Sequence, residues 1–125
     1  MITISLKKLL GKMLTCCYSY GESGGWKWKK YADGTIDMWR TYSGNITDYG
    51  NSGGWYFYQA TFYFPSGTII GTDYAVHPVW KIGTNISVAA WCAKSSGSFT
   101  TYGARIGSGG SKACVIDMYV HGNWR

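Results

Sequence analysis

From Trp26 to the end of the chain, short runs of aromatic and β-branched residues alternate with glycine-rich turn clusters. Such side chains suit the pleated surface of a strand, and glycine suits the tight turns between strands. The composition agrees with this pattern, since 18% of the 125 residues are aromatic and 18 glycines stand against 2 prolines. Only 14% are charged, which excludes the profile of a disordered chain. We therefore predict one all-β domain.

One turn has a specific sequence signal. Asp33-Gly34 is typical of a β-hairpin with a two-residue type I′ turn, because that turn requires positive φ at both central positions. It places an opposite-charge pair and an aromatic pair on one face of the hairpin. The register expected from this turn contains the pairs Ala32–Thr35, Lys30–Asp37 and Trp28–Trp39.

The remaining strands are predicted from runs bounded by turn residues. Residues 43–54 are rich in Gly, Asn and Asp and are predicted to be a loop. Residues 55–64 are apolar on both faces, which indicates a buried or interface strand ended by Pro65. Five further strands are expected at Thr68–Ile70, Val79–Ile82, Ile86–Ala93, Phe99–Ile106 and Ala113–Val120. The fold class predicted is an antiparallel β-sandwich of about seven short strands.

The first 20 residues have a helical period. Apolar residues recur at i, i+3, i+4, i+7 and i+8, with lysines off that stripe. The stripe consists of Leu6, Leu9, Leu10, Met13 and Leu14. Such a short helix is marginal in water, so the stripe must be covered by the domain, by other copies of the chain or by a membrane surface. We predict an oligomerisation helix over 1–20, a glycine-rich linker over 21–25 and the β-sandwich over 26–125.

The formal net charge is +6, which allows attraction to acidic partners. The one cluster, Trp26–Lys30, alternates like a strand, so we interpret its lysines as a solvated face and expect no nucleic-acid partner. No apolar run approaches the roughly 20 residues of a membrane span, so no membrane insertion is expected. The N-terminal lysines also interrupt any signal peptide, which predicts reduced thiols, with Cys92 and Cys114 buried.

The residues that catalysis requires are sparse. Of six carboxylates, Asp48 and Asp73 are the candidates for a glycosidase pair, and nothing in the sequence brings them together. Three copies of His77 or His121 at a trimer axis would suit a metal, but ordinary surface or interface histidines explain them as well. We predict no catalytic residue, no metal site and no cofactor.

Two segments carry a family resemblance. The run from Trp26 to Thr35, leading into a strand that ends at Trp39, and the closing VHGNWR of Val120–Arg125 resemble C-terminal receptor-binding modules of tail fibres and minor tail proteins of phages and prophages of Gram-positive bacteria. The resemblance implies a trimeric β-sandwich head in a virion tail. It would be made in the host bacterial cytoplasm, would contact other tail proteins and would touch the host surface.

Aromatic residues in glycine-rich segments suggest what such a head would bind. Aromatic faces stack on the apolar faces of sugar rings, and a weak site gains by repetition in a trimer. The candidate glycan-binding residues are Tyr49, Trp55 and Tyr102, although aromatics of this kind also fill cores and subunit interfaces. Two functions follow: a homotrimeric virion head that binds host cell-surface or cell-wall glycan, or a stand-alone carbohydrate-binding module or hydrolase accessory domain, which is expected to be monomeric.

Overall fold

The computed structural model describes residues 19–125, and every regular element in that range is a β-strand. The nine strands are β1 (Ser19–Ser23), β2 (Trp26–Lys30), β3 (Thr35–Thr47), β4 (Gly50–Ser52), β5 (Trp55–Tyr63), β6 (Ala75–Ile82), β7 (Ser87–Ser95), β8 (Ser98–Ile106) and β9 (Ser111–Asn123). A helix long and apolar enough to cross a membrane is not found between residues 19 and 125. The predicted helix and its apolar stripe lie outside the described residues, apart from residues 19 and 20, which belong to β1.

The strands form two antiparallel sheets. The first has the order β1-β2-β3-β9-β6 and the second has the order β4-β5-β8-β7. The longest pairing joins β3 to β9 from Thr35–Asn123 to Thr47–Ser111. The predicted antiparallel β-sandwich is therefore confirmed, with nine strands where about seven were expected.

Alternate residues of each strand point into the space between the sheets. On β9, for example, Ile116, Met118 and Val120 are buried, while Asp117 between the first two and His121 after the last are exposed. Burying apolar side chains on one face of each sheet is what holds two sheets together. The core consists of Trp26, Ile36, Met38, Tyr58, Phe62, Tyr74, Trp80, Ile82, Phe99, Cys114, Ile116, Met118 and Val120.

The prediction of a linker over 21–25 was wrong. Gly21 and its neighbours up to Ser23 belong to β1, which pairs with β2 from Ser19–Lys30 to Ser23–Trp26. Gly24 and Gly25 form the turn of this hairpin with φ of 60° and 86°. Gly21 is needed because a Cβ there would overlap the indole of Trp28. The glycines therefore serve close packing and a tight turn.

The hairpin at Asp33-Gly34 is present, but its predicted register was wrong by one residue. Asp37 pairs with Lys29 rather than Lys30. The Gly34 amide donates to the Tyr31 carbonyl at 3.1 Å and the Tyr31 amide donates to the Thr35 carbonyl at 2.9 Å, so the loop has three residues. Three-residue loops usually combine a type I turn with a left-handed residue, here Gly34 with φ 95°. The extra residue shifts the register and puts Trp28 opposite Met38 instead of Trp39.

Two other segments differ from the expectation. Residues 43–54, predicted as a loop, continue β3 to Thr47 and include β4, because β9 pairs with β3 as far as Thr47 and β5 pairs with β4. Residues 68–70, predicted as a strand, lie in turns and irregular backbone, where the Thr68 hydroxyl donates to the Pro65 carbonyl at 2.6 Å. This local bond stabilises a turn instead of a strand ladder.

Candidate functional site

The three candidate glycan residues lie on the outward face of the second sheet. Trp55 and Phe57 alternate with the core-facing residues of β5, and Tyr102 points outward from β8 beside them. Tyr49 reaches the same surface from the segment that precedes β4. We call this surface the aromatic face and define it by Tyr49, Trp55, Phe57, Trp91 and Tyr102.

The rings of the aromatic face contact one another. Trp91 stacks on Tyr102 with centroids 4.2 Å apart and planes 11° from parallel, and Tyr49 meets Tyr102 edge-on at 6.2 Å. Trp91 and Tyr49 are 58% and 54% exposed, so they carry the open rings, while one side of Tyr102 is covered. Trp55 lies further along the face, half-buried and paired with Ile106. The structure thus brings Tyr49 and Tyr102 into contact and places Trp55 nearby.

The sheet surface around the aromatic face is uncharged. The outward positions of the three longer strands of the second sheet, β5, β7 and β8, carry no Asp, Glu, Lys or Arg within the described part of the chain. These positions are Trp55, Phe57, Gln59, Thr61, Tyr63, Val88, Trp91, Ala93, Ser95, Ser98, Thr100, Tyr102, Ala104 and Ile106. Several large apolar side chains remain exposed there, including Val88 at 45%. Exposed apolar patches of this kind mark binding or assembly surfaces.

Sequence reasoning missed Trp91. This residue lies in the strand predicted at Ile86–Ala93 but was not among the candidate glycan residues. In the structure a bulge between Ala89 and Trp91 shifts the register, so Val88 and Trp91 point to the same side although three positions separate them. The local sequence of β7 contains no glycine or proline that would have signalled this bulge.

The outward face of the first sheet carries a different arrangement of rings. Trp39, Tyr119 and His77 lie side by side on three neighbouring strands, because β9 pairs Tyr119 with Trp39 on one side and with His77 on the other. The centroid separations are 5.8 Å and 5.6 Å, and the planes are 30° and 20° from parallel. We call these three residues the ring row. Lys29 lies over the Trp39 ring, 5.8 Å from its centroid.

Asp37 holds Tyr119, the central residue of the ring row, in place. Its Oδ1 accepts a hydrogen bond from the Tyr119 hydroxyl at 2.7 Å and lies 2.6 Å from Nδ1 of His121, and its Oδ2 accepts from the Tyr31 hydroxyl at 2.8 Å. Partial burial acts to raise the pKa of Asp37, but these hydrogen bonds outweigh it and lower the pKa below its ordinary value. Burial, together with the bond to Asp37, raises the pKa of Tyr119 to about 12.

A groove of about 720 Å³ runs beside the ring row. Next to the ring row, the sheet carries a row of shorter side chains, Thr41, Asp117 and Val79. The larger side chains of the ring row stand beside them. The Thr41 hydroxyl donates to Oδ1 of Asp117 at 2.5 Å. The lining residues are Gly25, Lys27, Trp39, Arg40, Thr41, His77, Val79, Asp117, Met118 and Tyr119. The groove therefore combines ring surface with a carboxylate, a hydroxyl and an ammonium group.

The groups considered for catalysis have structural contacts. Oδ1 of Asp48 accepts a hydrogen bond from the Gly110 amide at 2.5 Å, while Asp73 lies in a separate depression that precedes β6. Cys114 is buried and Cys92 is half-buried, and burial raises the pKa of both thiols. Neither cysteine forms a disulfide, and no cluster of three or more metal-ligating side chains occurs in residues 19–125.

The lysines of the Trp26–Lys30 cluster also have local contacts. Lys29 lies between the rings of Tyr20 and Trp39, and the Lys30 ammonium is 4.8 Å from the ring centroid of Trp124. Cation–π contacts of this kind hold lysine side chains along a sheet surface. They agree with the interpretation of this cluster as a strand face.

Comparison with known proteins identifies the fold. No protein-family model matches the chain, and no curated protein matches it. A solved N-truncated R1-type pyocin tail fiber is similar in structure, with a TM-score of 0.54 and 16% sequence identity, over 95% of this chain and 94% of the fiber chain. A solved C-terminal fragment of the P. aeruginosa R1 pyocin fiber has a TM-score of 0.49 and 17% identity over 83% of this chain and 27% of the fragment. The chain thus has a tail-fibre-like β-sandwich fold.

Proposed function

We propose that this chain is a structural protein of a phage-type tail fibre, assembles as a homotrimer and binds a saccharide on the host surface. The observation that carries the proposal is the fold similarity to the R1-type pyocin tail fiber, which extends over nearly all of both chains. The sequence resemblance at Trp26–Thr35 and Val120–Arg125 supports the same assignment and adds the prediction of a Gram-positive host. A virion tail location and contacts with other tail proteins follow from it.

The trimer is proposed from apolar surface that one chain leaves uncovered. The stripe of five apolar residues in the first 20 would form a three-stranded bundle on the fibre axis. The exposed side chains of Val88 and Ile106, which lie beside the aromatic face on the second sheet, add a second apolar surface. Light scattering of the purified protein should give three times the mass of one chain, and a monomer at micromolar concentration would contradict the trimer.

For the saccharide we propose contact with Tyr49, Trp55 and Tyr102, with Trp91 added from the structure. Sugar rings stack on aromatic faces through their C–H groups, and Tyr49 and Trp91 offer the most exposed rings of the group. The proposed activity is recognition without turnover. Release of reducing sugar from host cell wall, abolished by Asp48→Asn or Asp73→Asn, would contradict that part of the proposal.

The test measures binding and mass on the same variants. Tyr49→Ala, Trp55→Ala, Trp91→Ala and Tyr102→Ala are compared with Tyr63→Ala, which removes a 71% exposed ring elsewhere on the same sheet. On an array of defined oligosaccharides, the four variants should bind less than the parent while Tyr63→Ala binds equally. All should keep the trimer mass and melting temperature. If the four variants lose the trimer or the fold instead, the aromatic face is a subunit interface or core.

A stand-alone carbohydrate-binding module is the second candidate, because the described sandwich completes its core within one chain. Trp26, Ile36, Tyr58 and Val120, for example, are fully buried without a second copy. Such a module would bind the same oligosaccharides as a monomer. The mass measurement therefore separates the two functions, whereas binding alone does not.

A further inference from the structure

We propose that the groove along the ring row of the first sheet is a saccharide-binding site, separate from the aromatic face. It would take pyranose units whose substituents are mainly equatorial. The inference rests on the proposed recognition of a surface saccharide and adds a second site made of residues outside those predicted from the sequence. Two features carry it: ring surface that borders an open groove, and polar groups at the floor of the same groove.

The ring surface is the first feature. Trp39 is 39% exposed and lines the groove together with Tyr119 and His77. Trp39 and Tyr119 lie 5.8 Å apart and His77 stacks on Tyr119 at 5.6 Å, so the rings of the row partly cover one another and the exposed Trp39 offers the open face for a sugar. An equatorially substituted pyranose exposes only C–H bonds on its two faces, and such a face packs well against an aromatic ring.

The polar floor is the second feature. Oδ1 of Asp117 is bonded to the Thr41 hydroxyl, and Oδ2 makes no hydrogen bond within residues 19–125, so it is available to accept one from a sugar hydroxyl. Lys27 pairs with Trp39 at the end of the ring row and lines the groove, and its ammonium forms no ion pair within the same range. Equatorial hydroxyls point sideways from the sugar ring, towards groups placed in this way. A sugar stacked in the groove would thus place its C–H face against a ring and its hydroxyl groups against these polar side chains at the same time.

The site is also preorganised, which lowers the entropic cost of binding. Tyr119 is tied to Asp37, and Asp37 is tied to Tyr31 and His121, so the central ring is held before a ligand arrives. The outward positions of the second sheet carry no charged side chain in the described strands, and there the Thr61 and Thr100 hydroxyls bond to each other. The groove therefore offers sugar hydroxyls charged partners that the aromatic face lacks.

The experiment uses the full-length protein and an oligosaccharide array that includes β-linked hexamers of glucose and of N-acetylglucosamine. Trp39→Ala and Asp117→Asn should each weaken binding of the best probe by about tenfold or more. Trp39→Phe should recover part of the loss. The matched control is Lys81→Ala, which removes an exposed outward residue of the same sheet that does not line the groove.

A direct readout accompanies the affinities. In a ¹⁵N NMR spectrum the indole N–H signal of Trp39, assigned by its loss in Trp39→Phe, should shift when the probe is added. If Trp39→Ala does not fold, Asp117→Asn and this signal decide the question, because Asp117 is exposed. Binding that falls steeply with salt would overturn the proposal in favour of an anionic polymer held by the lysines.

The outcomes separate this inference from the function on which it rests. If the parent binds no oligosaccharide on the array, saccharide recognition itself is contradicted. If the parent binds, and Trp91→Ala or Tyr49→Ala loses binding while Trp39→Ala and Asp117→Asn retain it, the proposed function stands and the groove is not the site.

Discussion

Gly34 is the residue on which the β2–β3 turn depends. Its φ is 95°, a region that β-branched residues strongly resist, and a Cβ there would lie 2.9 Å from the carbonyl oxygen of Arg125. We expect Gly34→Val to lower the free energy of unfolding by about 1 kcal/mol or more, measured by chemical denaturation.

Two other glycines separate the causes of this effect. Gly24 also has positive φ, 60°, but a Cβ added there would have no other atom within 4 Å, so Gly24→Val tests backbone strain alone. Gly50 has neither the positive φ nor a close neighbour, and Gly50→Val should be nearly neutral. If Gly34→Val unfolds at the same denaturant concentration as the parent, the turn does not have the conformation described above.

Asp37 predicts a specific dependence of stability on pH. Because hydrogen bonds from its three partners lower the pKa of Asp37 in the folded protein, the ionised carboxylate stabilises the fold above the ordinary pKa of 3.8. This stabilisation is lost as pH falls through the lower folded pKa. The free energy of unfolding of the parent should therefore decrease below about pH 4.

The variant that tests this is Asp37→Asn, followed by denaturation from pH 7 to pH 2. It should be about 1 to 3 kcal/mol less stable than the parent at pH 7, since it loses hydrogen bonds to a charged group. It should also show a weaker decrease in acid. Tyr119→Phe removes one donor while leaving the carboxylate, so its curve should lie between the two. Parallel curves for Asp37→Asn and the parent would contradict the role of Asp37.

At the scale of elements, the two sheets are in close contact where β6 meets β8. Gly103 faces Trp80 of the opposite sheet, and a Cβ at Gly103 would overlap the indole ring. Trp80 is 4% exposed, and its Nε1 donates to the Thr101 hydroxyl at 2.9 Å, so the ring is fixed on both sides. The absence of a side chain at position 103 is therefore what lets the sheets pack at this point.

Gly103→Ala should consequently destabilise the sandwich by about 1 to 3 kcal/mol through overpacking. Gly50→Ala is the matched control, because it also lies in a strand of the second sheet but has open space around it. Urea titrations of both variants test the prediction. Equal midpoints for Gly103→Ala and the parent would show that Trp80 moves aside without penalty.

At the scale of the whole molecule, we expect the first 18 residues and the sandwich to have separable roles. The sandwich described for residues 19–125 has a buried core, and Ser19 already belongs to β1. Deleting residues 1–18 should leave the β-rich circular dichroism spectrum unchanged and weaken trimer formation without abolishing it, because Val88 and Ile106 also offer apolar surface.

Light scattering across a concentration series measures this effect. The deleted chain should shift from monomer to trimer at higher concentration than the parent. An unchanged association curve would show that the N-terminal stripe contributes nothing to assembly. Complete loss of association at every concentration would show that the stripe alone holds the subunits together.

The sequence by itself determined the class of fold and part of the candidate surface. A period of two and turn-forming glycines are local properties, and they predicted the antiparallel sandwich and the hairpin at Asp33-Gly34. The same local signal placed Tyr49, Trp55 and Tyr102 next to turns, and the structure puts them on one outward face.

The tertiary structure decided the register and the grouping of residues that are distant in the chain. Only the three-residue loop, with Gly34 beneath Arg125, sets Lys29 opposite Asp37. Trp39 and Tyr119 become neighbours because β9 returns to pair with β3. Alternation assigns a side chain to one of two faces, but which strands lie together depends on contacts across the whole fold. No local pattern contains those contacts, so the ring row is visible only in the folded protein.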